Sequence, residues 1–74
     1  MQEIDSTKGE QPTLTKREIE IVRHLDSGKP ITAIGAALHI SHNTMKTHLK
    51  NVYRKLSVEG RDQAVEKAKS LGLI

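Results

Sequence analysis

From Ile31 to Leu56 the chain reads ITAIGAALHISHNTMKTHLKNVYRKL. Two stretches of helical apolar spacing stand there with only His39-Ile40-Ser41 between them. So short a connection leaves the second helix no place but beside the first, and this run constrains the fold more than any other. In the leading stretch Ile31, Ile34 and Leu38, followed by Ile40, are the apolar positions, and the spacing predicts a helix over 31–38. Lys29-Pro30 precede it, and Pro is tolerated in the first turn of a helix or just before it. Gly35 costs about 1 kcal/mol of helix propensity relative to Ala; close approach of another helix would be a reason to keep it. Ser41 is a good N-cap, and the next helix is predicted over 42–56. On a helical wheel Met45, Leu49, Val52 and Leu56 fall within roughly 60° of one another. Asn43, Lys46, Thr47, Lys50 and Arg54 spread over roughly 100° of a different face. Tyr53 sits at the boundary, and Thr44, His48 and Lys55 occupy the other flank.

The flanking segments supply further helices. Thr15-Lys16-Arg17-Glu18 fits a capping box, with Leu14 placed to staple onto Ile19. Ile21, Val22 and Leu25 continue the helical spacing until Ser27-Gly28 ends it, which predicts a first helix over 16–26. After Ser57-Val58-Glu59-Gly60, the thin stripe Ala64, Val65, Ala68 and Leu71 predicts a fourth helix over 61–71, stopped by Gly72. Such a stripe suits close packing against another helix, within the chain or from a second copy. There is no strand signal and no internal repeat. The expected fold is all-α, a four-helix bundle containing a helix-turn-helix. Residues 1–13 are expected to be a flexible polar head or linker, and 14–74 the folded domain.

Charge distribution narrows the function. The net charge of +3 is modest, but all nine acidic residues lie outside 27–58, a window with five Lys/Arg and three His. Solvated helix faces usually mix signs, so a localised acid-free patch is the electrostatic footprint of a nucleic-acid binder. An enzyme is disfavoured, because a domain of 74 residues with Tyr53 as its one aromatic side chain rarely encloses a substrate pocket. No cysteine is present. His39 and His42 straddle the turn with His48 further on, but neither Cys nor a nearby carboxylate completes a tetrahedral set, so no metal or other cofactor is expected. No apolar run is long enough to span a bilayer and the N-terminus lacks a secretory h-region, so the expectation is a cytoplasmic protein without membrane association.

At this point the residues resemble a known family, the LuxR-type or GerE-like helix-turn-helix domain of bacterial transcription regulators. Leu14-Thr15-Lys16-Arg17-Glu18, Gly28, Ile40-Ser41, Thr44-Met45-Lys46-Thr47-His48, Lys55-Leu56-Ser57-Val58, Arg61 and Gln63-Ala64-Val65 all stand at that family's spacing. The likeness runs from Leu14 to the C-terminus. There are departures. Thr32-Ala33-Ile34-Gly35 stands where the family commonly has Lys-Glu-Ile-Ala, so a Lys that often holds backbone phosphate is missing. Pro30 replaces the usual capping Ser or Thr, Met45 a Val, and Ser57 a Gly.

The resemblance implies sequence-specific binding of double-stranded DNA at a promoter or operator, with the third helix in the major groove and Lys46, Thr47 and Lys50 nearest the bases. Lys can donate to guanine O6 or N7, and the Thr methyl can touch a thymine methyl. Lys29, Asn43, Thr44, His48, Tyr53, Arg54 and Lys55 are assigned to the DNA backbone. For His48 a packing or capping role competes, and for Tyr53 a half-buried position at the core edge. Arg17 and Glu18 are expected in a charge network on the first helix, and Arg61 is expected to join the third and fourth helices. The resemblance also implies a homodimer through Ala64, Val65, Ala68 and Leu71. It further implies that the chain is the C-terminal effector domain of a larger regulator, such as a response regulator, with RNA polymerase as a further partner. The competing reading is a small helical interaction module that docks on RNA polymerase or a partner regulator. Its docking face would be expected to be richer in large apolar residues than this one.

Overall fold

The computed structural model describes residues 13–74, which form four helices in the order α1 Lys16–Asp26, α2 Ile31–Ala37, α3 His42–Leu56 and α4 Arg61–Ser70. The expectation of a polar head concerns residues that, up to 12, lie outside the described ones. The predicted bounds of the first and third helices are met, and the second and fourth each end one residue sooner, with Leu38 and Leu71 as their C-caps.

Two of the helices start on a side chain that takes their free amides. The Thr15 hydroxyl accepts the Glu18 amide at 3.1 Å, and the Glu18 carboxylate accepts the Thr15 amide at 2.8 Å, completing the reciprocal box. Ser41 caps α3 by accepting the Thr44 amide at 3.2 Å. By contrast Pro30 and Gly60 make no side-chain cap to α2 and α4.

Three helices close with the same device, a left-handed residue after the last turn and a backbone bond from the residue after it reaching back five positions. At α4 the left-handed residue is Gly72 (φ 74°), with the Leu73 amide donating to the Ala68 carbonyl at 2.8 Å. At α2 it is His39 (φ 57°), with Ile40 donating to Gly35 at 2.8 Å, and at α3 it is Ser57 (φ 58°), with Val58 donating to Tyr53 at 2.9 Å. Side chains with a Cβ occupy this conformation at a cost that glycine avoids.

The His39 turn explains Gly35. A Cβ built there would lie 3.1 Å from the Ile40 carbonyl oxygen, so the close neighbour is the backbone of the chain's own turn rather than a crossing helix. That contact folds the start of α3 tightly against α2.

The core has two parts. Leu14, Val22, Val52, Leu56, Ala64 and Ala68 join α1, α3 and α4, with Ile19, Tyr53, Val58, Leu71, Leu73 and Ile74 packed around them. Ile21, Leu25, Ile34 and Met45 join α1, α2 and α3, flanked by Ile31, Leu38, Ile40, Leu49 and Val65. Met45, Val52 and Leu56 are fully buried as the wheel predicts, whereas Leu49 is only half-buried.

The fourth-helix stripe packs inward in large part. Ala64 and Ala68 are 0% exposed, Val65 packs on the second core cluster and Leu71 on the first. Ala64 and Ala68 thus fasten α4 to its own chain, while Val65 and Leu71 are half-buried. The small size of the two alanines lets α4 lie close to α1 and α3. Among the described residues no helix is long and apolar enough to cross a membrane.

Candidate nucleic-acid interface

Helix α3 is a two-sided element. Its apolar side is sunk into both core clusters, which fixes the rotation of the other side toward solvent. Asn43, Lys46, Thr47 and Lys50 are all exposed there and together line one open groove. Lys46 and Lys50 form no ion pair with any described residue, so their charge is uncompensated locally. The Thr47 hydroxyl donates to the Asn43 carbonyl at 3.2 Å. That bond ties up its polar atom and leaves its methyl as the group available for contact.

The seven side chains assigned to the DNA backbone are treated unequally. Lys29 is exposed just ahead of α2, and Asn43 lies in the groove itself. Arg54 is exposed and donates to Asn51 Oδ1 at 3.3 Å, one turn away. Thr44 is exposed, but its hydroxyl accepts from the capping Ser41 hydroxyl at 3.0 Å. His48 is half-buried. Tyr53 packs against the first core cluster, where burial pushes its phenol pKa up despite the opposing charge of Arg61. Its hydroxyl therefore keeps its proton, and with it the capacity to donate a hydrogen bond, over the ordinary working range of pH.

Lys55 has been given another use. Its ammonium lies 2.9 Å from Glu18 Oε1, and Glu18 is 3% exposed. Burial alone would raise the Glu18 carboxyl pKa. The hydrogen bond from Lys55, the bonds from Thr15 and the Lys55 charge outweigh burial and hold it below its ordinary value of 4.5. The buried carboxylate needs this cation, so Lys55 belongs to the α1–α3 joint and leaves the group of cations free to meet a phosphate. Glu18 is correspondingly part of a pair between helices rather than of a network along α1. On α1 itself Arg17 pairs with Glu20 at 3.3 Å on the surface.

Arg61 also differs from expectation. Its guanidinium donates to the Leu25 carbonyl at 3.1 Å, tying the start of α4 to the end of α1, while its charge also acts on Tyr53 of α3. Lys69 and Asp26, 3.0 Å apart, make a second link between the same two helices. Neither link could be paired from sequence distance alone.

A second, smaller cleft opens where α2 meets the first turn of α3, lined by Ile31, Thr32, Gly35, Ile40, His42 and Met45.

The groove on α3 is an exposed, acid-free, donor-rich surface on a helix held by its buried side. A family model described as bacterial regulatory proteins, luxR family, matches residues 12–68. The spore germination protein GerE of Bacillus subtilis is 40% identical over 62 residues, covering 84% of this chain and 84% of that one. A putative HTH-type transcriptional regulator, y4qH of Sinorhizobium fredii, is 46% identical over 63 residues, 85% of this chain and 19% of the relative. Among solved structures, the response regulator ChrA of a heme-sensing two-component system matches with a TM-score of 0.81 and 42% identity, over 84% of this chain and 31% of that one. The chain thus spans a minor part of the length of several relatives it resembles.

Proposed function

The chain belongs to the luxR family of bacterial regulatory proteins, and from that premise we propose that it binds duplex DNA sequence-specifically, with α3 in the major groove. The observation that carries this reading is the groove of Asn43, Lys46, Thr47 and Lys50 on the solvent side of a helix whose other side is buried. The major groove, roughly 12 Å wide, admits one α-helix. Lys46 and Lys50 then donate to base edges, and the Thr47 methyl meets a thymine methyl. Lys29, Asn43 and Arg54 serve the phosphates, with Thr44, His48 and the Tyr53 hydroxyl at the margin.

A single module of this kind offers few contacts, and paired half-sites read by a two-fold protein are the usual remedy. The pairing surface we assign is the outward side of α4, where Gln63, Glu66, Lys67 and Ser70 surround Val58 in an open depression. Glu66 and Lys67 give this face both charge signs, as a surface that must match itself requires. The small share of the longer relatives that the chain covers supports a role as one domain of a larger regulator; we infer a C-terminal place in it and action at promoters with RNA polymerase.

The test is selection of duplexes from a randomised pool, followed by titration at several salt concentrations. Binding is expected to weaken steeply as salt rises, since each neutralised phosphate releases counterions. Lys46→Ala or Lys50→Ala should lower discrimination between the selected duplex and a mixed-sequence one by roughly tenfold or more, with helicity unchanged. Full sequence preference in both variants would remove the base-contact assignment.

A further inference from the structure

We propose that Asn51 is a positioning residue for DNA binding: its side-chain carbonyl holds the Arg54 guanidinium at the rim of the α3 groove, ordered in advance and still charged. The proposal rests on the reading of Arg54 as a phosphate contact.

Arg54 Nη2 donates to Asn51 Oδ1 at 3.3 Å. Asn51 is half-buried, so the acceptor is itself restrained, while Arg54 is exposed. The acceptor is also neutral, and that sets this pair apart. Arg17 is held by the carboxylate of Glu20 and Lys55 by that of Glu18, bonds that fix a cation by offsetting its charge. An amide oxygen accepts a hydrogen bond without bringing a net charge of its own. Arg54 forms no ion pair with a described residue. Its guanidinium has several N–H donors, of which one is spent on Asn51. The others, with the whole positive charge, are left for an anion.

The direction of the bond selects the anion. At about 100° per residue, Arg54 falls between Lys50 and Thr47 on the wheel, and Asn51 falls beyond Thr47, on the side away from Lys50. The bond therefore draws the guanidinium off the line of Lys46 and Lys50. In agreement, the groove is lined by Asn43, Lys46, Thr47 and Lys50 and not by Arg54. Arg54 also stands in the last turn of α3, whereas the first residues of such a helix are the ones that reach base edges. A guanidinium at the rim, at the far end, meets a phosphate of the bordering strand, which its forked donors suit. A long side chain that is free beforehand loses rotamer freedom on binding, which weakens affinity. Asn51 takes that loss before DNA arrives, and takes it without neutralising the cation. The contact so prepared carries no sequence information of its own.

The experiment is a double-mutant cycle read on the duplex selected by the wild-type chain and on a mixed-sequence one. Arg54→Ala should weaken both alike and lower the salt dependence by about one phosphate. Asn51→Ala should weaken both by roughly threefold, and should add nothing once Arg54→Ala is present. A second readout is the motion of the Arg54 side-chain Nε–H in the free chain, followed by NMR relaxation. It should be restricted relative to that of Arg23, which is exposed and in no described ion pair, and Asn51→Ala should remove the difference. An Asn51 that merely stabilised the helix would leave that motion as it is. Wild-type affinity in Asn51→Ala, a loss that persists in the double variant, or an Arg54 as mobile as Arg23 would overturn the positioning role and leave the phosphate contact standing. Wild-type affinity or an altered base preference in Arg54→Ala would overturn the reading of Arg54, and the proposal with it. Circular dichroism separates lost binding from lost fold. Should Asn51→Ala fail to fold, Asn51→Leu, of similar shape and without the acceptor, takes its place in the cycle under the same criteria.

Discussion

The two ends of α3 are held in different ways. Toward its C-terminus, Val52 and Leu56 enter the cluster shared with α1 and α4, and Lys55 is bound to the buried Glu18. Nearby, Arg61 and Lys69 tie α4 to the end of α1. Toward its N-terminus, Met45 and the half-buried Leu49 meet the uncharged helix α2, and no described ion pair reaches that region. Under the proposed DNA reading the difference is functional. A cation that stabilises the fold by pairing is no longer free for a ligand, so the frame carries the cross-helix pairs and the reading end keeps Lys46 and Lys50 unneutralised.

The comparison can be strained hardest through burial. Leu56→Ala, at the fully buried end, should cost about 2–5 kcal/mol, and Leu49→Ala, at the half-covered end, clearly less; urea denaturation of the two variants reads the gap directly. Equal losses would mean that the two ends are held alike.

Next in size is the joint itself. Glu18→Ala removes a cap and one partner of a largely buried pair, so a loss of about 3 kcal/mol is expected. The sign of its pH dependence follows from the depressed carboxyl pKa. The contribution is complete above the ordinary carboxylate value and disappears as pH falls through the lower folded one. Stability of the wild type should therefore drop across that acid window more steeply than that of Glu18→Gln, as followed by thermal melts.

Smaller effects test the helix ends. His39→Gly and Ser57→Gly should each raise stability by about 1 kcal/mol, since both positions are left-handed. Gly72→Ala, at the same conformation and with no atom near its missing Cβ, should lower stability by a similar amount. Smallest of all, Lys46→Met and Lys50→Met should change stability by no more than about 0.5 kcal/mol while DNA affinity falls, because exposed unpaired charges contribute little to the fold. A large melting shift in either would place these lysines in the frame.

How far the sequence discloses all this depends on the range of the interaction. The capping box at Thr15 and Glu18, the Ser41 cap and the three-residue turn are local, written within four residues of one another. With the apolar spacing they make all four helices legible. The α3 groove is legible for the same reason, since a wheel needs nothing beyond one helix. Lys55 shows the limit: 37 residues separate it from Glu18, and no periodicity relates positions on two different helices. Arg61 and Leu25 pose the same difficulty at a separation of 36. The α4 stripe is ambiguous for a different reason. An Ala-rich face fits an internal neighbour and a second copy equally well, and only the packed fold shows that Ala64 and Ala68 meet an internal one.

One oxygen of Glu18 accepts both the Thr15 amide and the Lys55 ammonium. Fraying at the front of α1 and release of the tail of α3 therefore draw on a single acceptor, and neither event can proceed far without disturbing the other. In terms of opening equilibria, these two segments, remote in sequence, behave as one cooperative unit. Their slowest amides are expected to exchange with solvent at matched free energies, with the α2 amides opening separately and sooner.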